Sequence, residues 1–162
     1  MPDVYDKTTR SLVMSKVRSK NNKSTELRLI HIFREYCISG WRRNYRVKGH
    51  PDFVFLNKRI AVFVDGCFWH GHDCRNTRPK ENEEFWKRKR KRNKAHDRAI
   101  TKSFLQRGWK VLRLWECELK KKNFPLMLIK FEIFFTEQFS NYEINTGRTL
   151  ENIHIKKRNK NI

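Results

Sequence analysis

The alternation of apolar and polar positions divides the chain into short elements with abrupt ends. Residues 1–22 are polar and basic with Leu12, Val13, Met14 and Val17 scattered among them, a pattern for a short helix or an arm. From Ser24 or Thr25, either able to cap, Leu27, Ile30, Phe33 and Cys37 recur at helical spacing until Gly40. That spacing predicts a core-facing helix with Cys37 on its apolar face. Three strand-like runs follow, Trp41–Val47, Asp52–Leu56 and Ile60–Val64, with Asn57-Lys58 as a hairpin turn between the last two. Glu83–Arg107 reads as a long helix closed by Gly108, Trp109–Trp115 as a strand, and Phe124–Phe139 as an apolar helix. The order of elements, with no internal repeat, predicts a single α/β domain whose central mixed sheet is flanked by helices on both sides. Its expected limits are residues 23–140, preceded by an arm at 1–22 and followed by a polar, basic tail at 141–162.

Charge changes the picture from fold to partner. Lys and Arg number 38 against 17 Asp and Glu, a net charge of +21 on 162 residues. Such an excess repels itself across a compact domain and points to a polyanion, nucleic acid first. An anionic membrane is the competitor, but no apolar run approaches the roughly 18 residues of a spanning helix. No basic-then-apolar signal segment opens the chain, so a cytoplasmic location and no membrane partner are expected. Thiols are reduced there, and Cys37, Cys67, Cys74 and Cys117 fit metal binding better than disulfides.

Candidate chemistry gathers after the third strand. Cys67, His72 and Cys74 can curl around one ion, and Cys117, just past the strand ending at Trp115, can complete a closed zinc site. Buried thiols without metal are the alternative. Asp52 follows Pro51 and opens an apolar strand, a hard-oxygen donor suited to Mg²⁺ that resembles the first half of the PD-(D/E)xK nuclease motif. The second half is missing, since the neighbourhood reads Phe63-Val64-Asp65-Gly66-Cys67 with no lysine. His70 is then the candidate general base and Asp97, on the long helix, the candidate that orients its ring. Phe68 and Trp69, held between metal ligands, and Trp86 at the start of the long helix suit wedges that enter a base stack, whereas Phe85 suits the core. Between Lys87 and Lys94 only Asn93 is not a cation, so part of that helix contacts phosphates and part is solvated.

With these residues in hand, the chain resembles the very-short-patch repair (Vsr) endonucleases over roughly residues 1–125. The blocks are Asp3–Ser11 with Met14, Pro51-Asp52-Phe53-Val54, Gly66-Cys67-Phe68-Trp69-His70, Glu84-Phe85-Trp86, Gly108–Leu112 and Trp115-Glu116-Cys117. The resemblance implies a restriction-endonuclease-like fold with a structural zinc. It also implies Mg²⁺-dependent nicking 5′ to the T of a T·G mismatch left by 5-methylcytosine deamination, alongside a cytosine-5 DNA methyltransferase. By position, Asp52, His70, Asp97 and Glu26 resemble the catalytic set, with the Val64 carbonyl joining Asp52 on Mg²⁺. Cys67, His72, Cys74 and Cys117 resemble the zinc ligands. Phe68, Trp69, Trp86 and Met14 resemble the residues inserted into DNA, and the N-terminal arm the segment that grips the minor groove. Two places depart from the pattern. Val64-Asp65 stands where some members carry Thr-His, so Asp65 is a candidate second carboxylate for Mg²⁺, and the loop from Arg75 to Asn82 differs in composition. An asymmetric lesion calls for a monomer. A zinc-stabilised binding module and a nuclease with a broader substrate are the rival readings.

Overall fold

The apolar run at Ile60–Asp65 lies inside the sheet in a computed structural model of the protein, which describes residues 21–74 and 82–135 together with Thr8, Thr9 and Leu12. The strands are β1 (Trp41–Arg43), β2 (Phe53–Phe55), β3 (Ile60–Asp65) and β4 (Lys110–Trp115), the helices α1 (Glu26–Glu35), α2 (Glu83–Gln106) and α3 (Phe124–Phe135). They form one α/β domain around a four-stranded sheet in the order β1-β2-β3-β4. β2 runs antiparallel to β1 and β3, whereas β3 and β4 are parallel. A parallel pair needs a long crossover, and α2 supplies it.

The two-residue period of the strands assigns the faces. Phe53, Phe55, Ile60, Val62, Leu112 and Leu114 pack with Leu29 and Phe33 of α1 and Met127 and Phe131 of α3. Ala61, Phe63 and Val111 face the other way, against Ile100 and Phe104 of α2. Helices therefore cover both faces, as the order of elements predicts. Phe33 anchors the first face through edge contacts with Phe53, Phe55 and Phe131 at centroid separations of 5.3, 5.8 and 5.3 Å. Burying each such ring contributes about 2–3 kcal/mol. On the second face Gly49, at φ +106°, lets the loop before β2 lie against α2; a Cβ there would meet the Phe104 ring at 2.7 Å.

Several expectations are corrected. α1 ends at Glu35, and Cys37 lies beyond it, exposed and in the left-handed region at φ 54°, so it does not pack on a helix face. The buried stripe of α1 runs through Glu26, Leu29, Ile30 and Phe33, leaving Leu27 38% exposed. Thr25 stands at the N-cap without a side-chain capping bond. β1 stops at Arg43 because Asn44 turns to φ 50° and ends the extended run. The β2–β3 connection is a 3₁₀ turn at Leu56–Lys58 closed by Arg59 at φ 49°, two residues longer than a two-residue hairpin. The arm with Met14, the loop residues 75–81, positions 136–139 and the tail lie outside the described residues.

Candidate active site and metal centre

The chain leaves β3 at Asp65 and turns tightly through residues 66–74, with backbone bonds from His70 N–H to the Gly66 carbonyl (3.2 Å) and from His72 N–H to the Cys67 carbonyl (3.0 Å). Gly71, at φ +62°, reverses the path between the two histidines. That reversal sends His70 toward α2 and His72 toward the end of β4. The thiols of Cys67, Cys74 and Cys117 and a ring nitrogen of His72 lie within 4.8 Å of one another. Cys117 Sγ is 3.5 Å from His72 Nδ1, matching the roughly 3.5 Å edge of a tetrahedron with zinc–sulfur and zinc–nitrogen bonds of about 2.3 and 2.0 Å. The donor set and its spacing therefore fit a zinc ion. Burial pushes the Cys67 thiol up to about 12 and raises that of Cys117, while burial lowers the His72 pKa. A neutral imidazole suits coordination, and a cation would offset the cost of the buried thiolates. His72 is also stacked on Trp115, 4.3 Å between centroids and 5° from parallel.

On the other side of the loop, His70 Nδ1 lies 2.5 Å from Asp97 Oδ2. Asp97 lies on the same side of α2 as Ile100 and Phe104, which meet the sheet, and Arg113 bonds both its carbonyl and Asp65 at the end of β3. His70, Asp97 and Asp65 form the second close group of potential ligand atoms among the described residues. Asp52 belongs to neither group. It enters β2 opposite the end of β3, where its Oδ2 accepts the Val64 N–H at 2.7 Å. Burial raises its pKa to about 6 from 3.8; the Val64 bond lowers it, and the charges of Glu26 and Asp65 raise it. A carboxylate held this way, near further acidic groups, fits a divalent cation. Glu26, 6% exposed, is paired with Arg43 Nη2 at 2.5 Å.

Two arginines were not legible as site residues. Arg43 sits in a basic strand and Arg113 in an apolar one, where alternation alone suggests solvent. Arg113 is instead partly buried, with Nη1 2.6 Å from Asp65 Oδ2. The only available signal was that Asp65 and Arg113 each interrupt an apolar strand.

Three of the candidate wedge residues meet beside the loop. Phe68, Trp69 and Trp86 form one edge-to-face cluster with centroids 4.7–5.7 Å apart. From α2, Arg90 Nε donates to the Phe68 carbonyl (2.9 Å) and Asn93 to the Trp69 carbonyl (2.7 Å), while the Arg90 guanidinium covers the Phe68 ring. Phe85 is 49% exposed and is not a core residue, because the first turn of α2 projects past the sheet. Lys87, Arg88, Lys91 and Arg92 are exposed, whereas Arg90 and Asn93 are half-buried and brace the loop, a role the sequence did not suggest.

Residues 2–76 match the family described as DNA mismatch endonuclease Vsr. The chain is 38% identical over 124 residues to the type II nicking enzyme V.NmeAIP of Neisseria meningitidis serogroup A, covering 75% of this chain and 87% of that one. It is 36% identical to the type II nicking enzyme V.XorIIP of Xanthomonas oryzae pv. oryzae, covering 74% and 88%. The DNA mismatch endonuclease Vsr of Escherichia coli K12 is 35% identical over 121 residues, covering 74% and 77%.

Proposed function

Because this chain belongs to the Vsr family of DNA mismatch endonucleases, and is itself an endonuclease, we propose that it nicks one strand 5′ to the T of a T·G mismatch in a Mg²⁺-dependent reaction. The proposed lesion arises by deamination of 5-methylcytosine, which pairs the enzyme functionally with a cytosine-5 DNA methyltransferase. The names of two relatives as nicking enzymes support single-strand cleavage.

The single observation that carries the mechanism is the contact between His70 Nδ1 and Asp97 Oδ2 at 2.5 Å. With Nδ1–H donated to the carboxylate, Nε2 is left as the basic nitrogen that removes a proton from water. Asp97 holds the ring and stabilises the charge it gains. Asp52 and the Val64 carbonyl are the proposed ligands for Mg²⁺, with Glu26 beside them. When bound, the ion neutralises the phosphate and the leaving oxygen. Phe68, Trp69 and Trp86 enter the base stack beside the mismatch, with Met14 inserting from the arm at 1–22. Cys67, His72, Cys74 and Cys117 hold structural zinc, which fixes the loop bearing Phe68, Trp69 and His70. We further assign the domain at 23–140 to a PD-(D/E)xK variant of the restriction-endonuclease fold, acting as a cytosolic monomer. No helix among the described residues is long and apolar enough to cross a membrane.

His70→Ala tests the assignment. Affinity for a T·G duplex in Mg²⁺-free buffer is expected to stay within a few-fold, while nicking falls by about 10²–10⁴-fold. Full nicking by the variant overturns the role given to His70.

A further inference from the structure

The sheet register brings together a set of charges that zinc, wedge and general base leave unexplained. β3 and β4 are parallel with Phe63 opposite Arg113 and Asp65 opposite Trp115. Phe63, Asp65 and Arg113 therefore share the face that looks at α2. The Arg113 guanidinium lies 4.6 Å from the centroid of the Phe63 ring, which sets its plane. Its Nη1 reaches Asp65 Oδ2 at 2.6 Å and Asp97 Oδ1 at 3.5 Å. Its Nη2 donates to the Asp97 carbonyl at 3.3 Å, and its Nε to Thr101 Oγ1 at 3.2 Å. One side chain thus ties the end of β3 to two successive turns of α2.

We infer that Arg113 is a positioning residue for the nicking reaction and that Asp65 is its counter-charge, not a ligand for Mg²⁺. Asp65 and Asp97 both approach His70, with ligand atoms of all three within 4.8 Å. Two carboxylates that close in a part-buried site repel strongly unless a cation lies between them. Arg113 is that cation. Its fork fixes Asp97 through one carboxylate oxygen and the backbone carbonyl, leaving the other oxygen, Oδ2, free to hold His70 Nδ1. A lysine has the charge but not the planar fork, so it cannot make these bonds at once. Asp65 takes the closer share of the guanidinium charge, at 2.6 Å against 3.5 Å for the Asp97 carboxylate, so Asp97 is not fully neutralised. With that charge spent on Asp65, the carboxylate that orients the imidazole keeps its hold on the ring. A cavity of about 460 Å³ opens beside the same residues, lined also by Lys94 and Arg98. Direct contact of Arg113 with a DNA phosphate through that opening is the competing role, and the test separates it.

The inference rests on His70 being the general base, so wild type and His70→Ala are assayed beside the Arg113 set. Strand nicking of a T·G duplex is followed at saturating enzyme, with duplex affinity measured separately without Mg²⁺ and folding checked by circular dichroism and zinc content. Arg113→Met is expected to lower the single-turnover rate by about 10²-fold or more with affinity changed less than about threefold. Arg113→Lys, which keeps the charge and guards against misfolding of the Met variant, is expected to lose about tenfold. Asp65→Asn alone is expected to lose less than tenfold with an unchanged Mg²⁺ midpoint. Asp65→Asn/Arg113→Met is expected to regain at least tenfold over Arg113→Met, because removing the orphaned carboxylate relieves the repulsion.

Full activity in both Arg113 variants overturns the inference, as does a rate loss in Asp65→Asn that excess Mg²⁺ restores, the mark of a metal ligand. A double variant no better than Arg113→Met, with affinity lost in both, assigns Arg113 to a phosphate and overturns it too. If wild type fails to nick, or His70→Ala nicks fully, the underlying assignment fails instead, and the two failures are told apart within one assay.

Discussion

Asp52 is a carboxylate placed where water is scarce, and burial, more than its neighbours, raises its pKa to about 6 from 3.8. Because the native state holds this proton more tightly than the unfolded chain, the group's contribution to stability falls as pH rises from about 4 through 6. Above that window the ionised carboxylate costs about 1–3 kcal/mol after allowance for partial solvent screening. Asp52→Asn keeps an oxygen that can accept the Val64 N–H and removes the charge. In Mg²⁺-free buffer at pH 7 its Tm is expected to exceed that of wild type by several degrees, with the gap closing toward pH 4.5. Nicking is expected to be lost at every pH. A thermal scan showing equal or lower Tm for the variant at pH 7 contradicts the burial account. The same residue shows what sequence could tell. Pro51-Asp52 before an apolar run marked the carboxylate, and the Gly66–His70 block marked the loop. Neither reveals that Asp52 is held by the Val64 N–H, because that bond depends on the antiparallel register of β2 and β3.

Elements were legible where their apolar period was strong. α2 was placed to within one residue, because Glu83-Glu84 favours its start and Gly108, at φ 72°, terminates the run. α1 was placed but rotated. Its sequence Leu27-Arg28-Leu29-Ile30-His31-Ile32-Phe33 contains two apolar stripes, and the sheet selects the one through Leu29, Ile30 and Phe33. The selected stripe also turns Glu26 inward, where Arg43 meets it. Tertiary pairing of this kind leaves no periodic trace, which is why neither Arg43 nor Arg113 stands out in the sequence. At this scale Phe33→Ala is expected to cost about 3–5 kcal/mol by denaturant titration, with the nicking rate per folded molecule unchanged. Cys117→Ser is expected to lose bound zinc and to release the turn at 66–74 from the end of β4, lowering both stability and nicking. Metal analysis of the purified variant decides this; a full equivalent of zinc contradicts the ligand assignment.

For the whole molecule, a net charge of +21 makes binding electrostatic before it is specific. Exposed Lys87, Arg88, Lys91 and Arg92 on α2 are set apart from Arg90 and Asn93, which brace the loop at Phe68 and Trp69. Lys91→Gln/Arg92→Gln is expected to flatten the slope of log affinity against log salt by about 1–2, equally for matched and mismatched duplexes. An unchanged slope removes these residues from the phosphate contacts. The fold then divides the labour: the sheet delivers Asp52, the proposed zinc ligands hold the loop, and α2 supplies both the cations and the partner of His70. The most direct test is a strand-resolved cleavage assay on duplexes that differ only in a single T·G or T·A pair, each strand end-labelled, with and without Mg²⁺. The predicted result is one nick, 5′ to the mismatched T, present only with T·G and only with Mg²⁺. Cutting of both strands, equal cutting of the matched duplex, or cutting undiminished without divalent metal would contradict the account.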